Sequence, residues 1–174
     1  IIHTTSNPVL VEGKKKTIIC SGLKMKLYNG EVGTYLIQFK WNMQIKSGSK
    51  YDTTESIHIK ALVVRDEYTL AVGAIGITTS ESDIKDESSI MIKFDNNVTK
   101  IEYHFTDDNV WVDTFDKYTC FNNAIISEHD SIICVGYTVV DDRRYATVWK
   151  FTTFGKEPIT YVVDLDEDNT LCYS

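Results

Sequence analysis

The chain has 174 residues, 43% of them hydrophobic, and a net charge of −7, enough apolar material for a core and too much for a disordered chain. No apolar run approaches the ~20 residues that a spanning helix needs, and the negative balance, with no aromatic platform among the basic residues, argues against nucleic acid. Ile, Val and Thr total 53 against 13 for Ala and Leu, so stiff β-branched side chains that suit a pleated surface outnumber the best helix formers and predict an all-β protein.

In chain order, the first predicted strand is Val9-Leu10-Val11, followed by the charged turn Glu12-Gly13-Lys14 and a strand ending in glycine, Thr17 to Gly22. A strand ending in phenylalanine, Tyr35 to Phe39, comes next, then turn-like residues and another strand within Asn42 to Ile45, and a long connection from Lys46 to Thr54. The same order returns with Ala61 to Val64, Arg65-Asp66-Glu67, Tyr68 to Gly73, Ile90 to Phe94 and a turn at Asp95-Asn96-Asn97 leading to Ile101. Residues Glu81 to Ser88 are polar and read as a loop, and Asp107 to Lys117 as a second long connection. A third round runs through Ala124 to Ile126, Glu128-His129-Asp130, Ser131 to Gly136, Thr147 to Phe151 and Phe154-Gly155 to Ile159. Apolar run, short charged turn, apolar run is the pattern of a hairpin.

Gly22, Gly73 and Gly136 are 51 and 63 residues apart, and Phe39, Phe94 and Phe151 are 55 and 57 apart. Two independent markers at near-constant spacing define an internal repeat. The chain therefore reads as one all-β domain of about three imperfect copies, over residues 9–60, 61–123 and 124–174, each a four-stranded antiparallel meander. On this phase Val9 to Val11 is expected to close an earlier unit and Tyr161 to Ser174 to open a later one. A start at Ile1 rather than Met fits either a cleaved signal peptide or an excised piece.

Cys134-Val135-Gly136-Tyr137, Ile92-Lys93-Phe94-Asp95-Asn96-Asn97 and Trp149-Lys150-Phe151 through Phe154-Gly155-Lys156 carry a resemblance over nearly the whole chain. In these motifs the sequence resembles bacterial-type β-propeller repeats, whose units run as a strand with Gly-Tyr or Gly-Phe, an acidic loop, a strand ending Lys-Phe-Asp, an Asn-Gly-like turn and an aromatic strand. It differs at Val98, which stands where the turn glycine is usual, and at Lys40-Trp41-Asn42, which replaces the acidic turn. Propellers close with four to eight blades, so the resemblance implies either a fragment or copies that assemble to finish a ring. Without it, about a dozen strands would form a sandwich or barrel.

Catalytic templates are missing: there is no nucleophile elbow, zinc-protease helix, phosphate loop or dinucleotide fingerprint. Glu128-His129-Asp130-Ser131 has the residue types of a triad, but consecutive residues in a tight turn point apart, and a solvated turn is expected. His58 is expected on the face opposite Ile57 and Ile59, and His104 within an aromatic strand. Asp164, Asp166 and Asp168 alternate like the start of a calcium loop, yet Asn169 stands where glycine is needed, so an acidic segment is the simpler reading. Cys20, Cys120, Cys134 and Cys172 form no C-x-x-C pair and have no histidine at zinc spacing; two disulfides are allowed but not required. No metal or other cofactor is implied.

Of the three tryptophans, Trp149 replaces Ile37 and Ile92 of the other copies and should be core. Trp111, between Asp108 and Asp113 in a variable loop, is the candidate exposed anchor for a partner. Asn97-Val98-Thr99 is a glycosylation sequon in a predicted turn. Residues 1–50 hold eight Lys/Arg and two acids, whereas residues 51–174 hold ten and twenty-three. The basic part suits an anionic partner or the acidic end of a neighbouring copy, or a plain solvated surface with lysines guarding strand edges. Together these point to a non-enzymatic binding or structural module of an extracellular or cell-surface assembly, whose partner is a protein or further copies of the repeat, including a homo-oligomer. The alternatives are a self-contained secreted sandwich or barrel that binds a small ligand or host protein, and a piece of a propeller-type hydrolase.

Overall fold

Twelve strands, and no helix among the described residues, make up the computed structural model, which describes residues 2–26, 32–52, 57–76, 88–95, 97–98, 101–102, 119–141, 143–152 and 158–163. They form three four-stranded sheets in sequence order. The first contains β1 (Ile2–Gly13), β2 (Thr17–Lys26), β3 (Val32–Lys40) and β4 (Ile45–Asp52); the second β5 (Ile57–Val64), β6 (Tyr68–Ile75), β7 (Ser88–Asp95) and β8 (Ile101–Glu102). The third contains β9 (Thr119–Ile126), β10 (Ile132–Val140), β11 (Arg143–Phe151) and β12 (Ile159–Val163). Neighbours in sequence are neighbours in each sheet, the strand pairs described are antiparallel, and no sheet closes on itself among the described residues. The fold is thus all-β, with antiparallel four-stranded meanders in tandem.

The strand phase differs from the sequence reading in two places. Val9 to Val11 is the latter half of β1, paired with Ile19 to Ser21, and Tyr161 to Val163 lies in β12, paired with Ala146 to Val148. Both runs therefore belong to the first and third sheets and not to units beyond them. Likewise Ala61–Val64 and Ala124–Ile126 are the latter halves of β5 and β9, which begin at Ile57 and Thr119. The other correction is β4. Residues 46–52, expected as a connection, are strand continuing from Ile45, and residues 41–44 are the turn before it. Composition misleads here because β4 places small hydroxyls where a strand usually places apolar groups: Ser49 and Tyr51 are buried and Ser47 partly so, while Lys46 and Gly48 face solvent. The alternation is intact; its buried face is polar.

Two of the three glycine markers, and the phenylalanines, now have physical causes. Gly22 sits at the bulge between Cys20 and Leu23 of β2, with φ 75°, a conformation that costs other residues roughly 1–2 kcal/mol. Gly136 has no such φ. It lies opposite Phe121 where β9 carries an extra residue, and a Cβ there would overlap the Cys120 carbonyl. The phenylalanines anchor cores: Phe94 meets Tyr51 edge to face at 6.5 Å, and Phe121 meets both Trp149 at 4.9 Å and Phe151 at 6.0 Å. Trp149 is fully buried, as expected. Pro8, with no N–H to give, falls in the irregular stretch of edge strand β1 between Thr4 and Val9.

Two compact units result, Ile1–Ala71 with Met91–Tyr103, and Val72–Ile90 with His104–Ser174. In the first, β5 lies against β1, and Cys20, Leu23, Tyr35 and Ile37 form a core cluster with Phe39 beside it. In the second, Ala74 packs with Cys120, Tyr137 and Val139, and the Ser89 amide donates to Thr119 Oγ1 at 3.1 Å.

The two glycines should respond unequally to alanine. Gly136→Ala forces backbone apart and should cost about 3 kcal/mol or more, whereas Gly22→Ala meets only the local strain of about 1–2 kcal/mol. Urea unfolding of both variants measures this; a Gly136→Ala protein as stable as Gly22→Ala contradicts the assigned close approach.

Candidate binding surface

In the first unit, the antiparallel order brings four turns to one end. The β1–β2 turn (Lys14 to Lys16) and the β3–β4 turn are neighbours because Thr17 pairs with Lys40. The β5–β6 turn joins them through Asp66, whose carboxylate lies 2.5 Å from Lys14 Nζ and whose carbonyl accepts from the same ammonium at 3.0 Å. That ammonium holds the Asp66 carboxyl below the ordinary carboxylate range by hydrogen bonding and by charge. Asp66 is fully exposed, so the pair marks adjacency rather than stability. The β7–β8 turn is joined to β4, since the Ser49 hydroxyl donates to the Val98 carbonyl at 2.6 Å and the Ser47 hydroxyl to that of Asn97.

Behind these turns runs a buried polar seam. Gln38, almost fully buried, donates from Nε2 to Thr17 Oγ1 at 3.0 Å, and Thr17 donates to the Lys14 carbonyl at 2.7 Å. Gln38 Oε1 faces the Ser47 hydroxyl at 3.1 Å. Buried polar groups must be paired; here Gln38 joins β3 to β2 and to β4, and Thr17 ties β2 to the β1–β2 turn, which fixes register more tightly than apolar contact alone.

The β7–β8 turn is strained. Val98 has φ 56°, an outlier for a β-branched residue. The turn is held by the Val98 amide donating to the Asp95 carbonyl at 3.0 Å and the Asn97 amide to Asp95 Oδ1 at 3.1 Å. The left-handed strain of about 1–3 kcal/mol is set against the burial of a whole valine side chain, worth a similar amount.

The β3–β4 turn is closed by its own backbone: the Lys40 amide donates to the Gln44 carbonyl and the Met43 amide to the Lys40 carbonyl, both at 2.8 Å. Asn42 Oδ1 accepts from the Gln44 amide at 3.2 Å, and Met43 takes φ 65°. Its side chains face outward. Trp41 is 66% exposed, Met43 63% and Ile45 55%, between Lys40 and Lys46. In the sequence Trp41 stands among three tryptophans that could form binding hot spots, with Trp111 preferred as the exposed anchor. The signal was present in the odd-numbered apolar residues 41, 43 and 45 between two lysines.

Of the residues singled out in the sequence, Asn97 is exposed, in the turn expected of it. Trp111, Asp108 and Asp113 lie outside the described residues, as do His104, Asp164, Asp166, Asp168 and Cys172. Cys20, Cys120 and Cys134 are buried, with no disulfide among them; burial raises the Cys20 thiol pKa and drives that of Cys134 far up, which makes these two poor nucleophiles. Glu128, His129 and Asp130 form an exposed hairpin turn closed by the Asp130 amide on the Ser127 carbonyl at 3.0 Å. Among the described residues no three His, Cys, Asp or Glu side chains converge as a metal site.

In the second unit, β12 pairs with β11 on one side, and all five of its residues are exposed. Ile159, Tyr161, Val162 and Val163 give it large apolar surface.

Val98 gives a direct reading of the strain at the β7–β8 turn. Val98→Ala keeps the strain and loses burial, at about 1–2 kcal/mol, while Val98→Gly loses more burial but relieves the strain. Chemical denaturation should find the glycine variant no less stable than the alanine one; a glycine variant less stable by 1 kcal/mol or more, roughly the cost of glycine relative to alanine elsewhere, contradicts the left-handed geometry.

No protein-family model matches this chain, and no curated protein matches it.

Proposed function

We propose that this chain is a non-catalytic binding or structural module built of propeller-blade-like repeats, acting in a larger assembly outside the cell or at its surface. The observation that carries the reading lies in the first unit. The first strands of two successive sheets lie together, β1 against β5, and their equivalent turns meet at Lys14 and Asp66. Successive blades repeat that relation around a propeller axis. Three sheets fall short of the four or more that a ring takes, so further copies of the repeat, in the same or another chain, would complete it.

An exposed apolar strand such as β12 is a liability unless something covers it, and a further repeat would. The absence of converging metal ligands among the described residues agrees with a non-catalytic role in general terms. The sequon at exposed Asn97 supports the extracellular placement, which is read from a glycosidase-sensitive mobility shift in secreted protein that Asn97→Gln abolishes.

Assembly is tested by sedimentation and native mass spectrometry of the full-length gene product. The expected result is either more than three repeats in one chain or self-association weakened by Tyr161→Lys and Val163→Lys. A lone, stable monomer with three repeats, unchanged by both substitutions, sinks the reading.

A further inference from the structure

We propose that the β3–β4 turn is a membrane-docking tip that seats on an anionic lipid surface. The inference deepens the binding-module reading and rests on it for the placement at a cell surface. Trp41, Met43 and Ile45 project from one tight turn, each more than half exposed. A narrow convex apolar tip suits a soft bilayer interface, where tryptophan is enriched and apolar residues reach the acyl boundary.

Two features favour lipid over a protein pocket. The turn closes part of its own backbone: the amides of Lys40, Met43 and Gln44 and the carbonyls of Lys40 and Gln44 are paired within it, so entering a medium without hydrogen-bonding partners does not strand these five groups. The segment that carries the tip has charge of one sign. Residues 36–51 contain Lys40, Lys46 and Lys50 and no acid, and Lys15 and Lys16, both exposed, sit in the adjoining β1–β2 turn. The acids of this end, Glu12, Asp66, Glu67 and Asp95, belong to β1, the β5–β6 turn and the β7–β8 turn; Asp66 is paired with Lys14, and Asp95 accepts the Asn97 amide. Apolar tip and lysine collar are the two signals that stable peripheral binding combines.

The test is co-sedimentation of the full chain with vesicles of phosphatidylcholine alone or with phosphatidylserine. The protein is used as it is secreted, so that any glycan on Asn97, whose carbonyl accepts from Ser47 two residues beyond Ile45, is in place. The wild type is expected to bind the anionic vesicles about tenfold or more tightly than neutral ones, and to lose that preference in high salt. A Trp41→Ala, Met43→Ser, Ile45→Ser variant and a Lys40→Gln, Lys46→Gln variant should each lose about tenfold or more in affinity, with near-ultraviolet circular dichroism unchanged. Trp41→Phe should keep binding but lose the part of the fluorescence quenched by bromine-labelled acyl chains. No binding to anionic vesicles, or equal binding by wild type and the triple apolar variant, overturns the proposal. Binding that needs the lysines alone also overturns it, in favour of simple polyanion capture, and the assembly measurements are indifferent to all of these outcomes.

Discussion

The docking of the β7–β8 turn on β4 is the constraint on which the first unit depends. Two serine hydroxyls of β4 reach the carbonyls of Asn97 and Val98, and Val98 is held in a left-handed conformation with its side chain buried. These bonds span about 50 residues of chain, so they give the sheet face a partner that local sequence does not supply. Without that partner, the hydroxyls of Ser47 and Ser49 would be a reason for β4 to stay in water. With it, the strand joins the sheet, the Gln38–Thr17 pair behind it is sealed from solvent, and the turn next to it presents Trp41, Met43 and Ile45.

Polar pairing of this kind does something that an apolar interface would not. A strand whose buried face is Ser47, Ser49 and Tyr51 can sit in only one register, because a slip by one residue exposes the serines and turns Lys46, Gly48 and Lys50 inward. The seam costs stability relative to a well-packed apolar face, as buried polar groups do no more than recover their lost hydration. In return each hydroxyl names its acceptor. The same logic fits the bulges at Gly22 and Gly136, where one irregular position on a strand sets how the next is read.

The repeat was legible in sequence because its markers answer single geometric demands. Gly22 meets a positive φ and Gly136 a close backbone approach, and neither tolerates drift in composition. Phe94 and Phe151, with Trp149, fill cores that need volume at a fixed place. What could not be read locally depends on residues distant in sequence. The Ser-Gly-Ser-Lys run of β4 has loop composition, and only Asn97 and Val98, far along the chain, make it a strand. Trp41 ranks below Trp111 in the sequence because its exposure depends on the tight turn that follows β3, whereas Trp111 has acidic neighbours in a variable loop. The end phase of the chain was misread for a related reason: the apolar half of β1 and of β12 was visible, but the polar or short remainder that makes each a full sheet member was not.

Backbone hydrogen exchange across residues 45–52 tests the central claim, that β4 is a true strand held by the turn at Val98. Its sheet-facing amides should exchange as slowly as those of β2 and β3, and all three should open together as one cooperative unit. Exchange over residues 45–52 at the rate of an open loop, while β2 and β3 stay protected, would contradict the account.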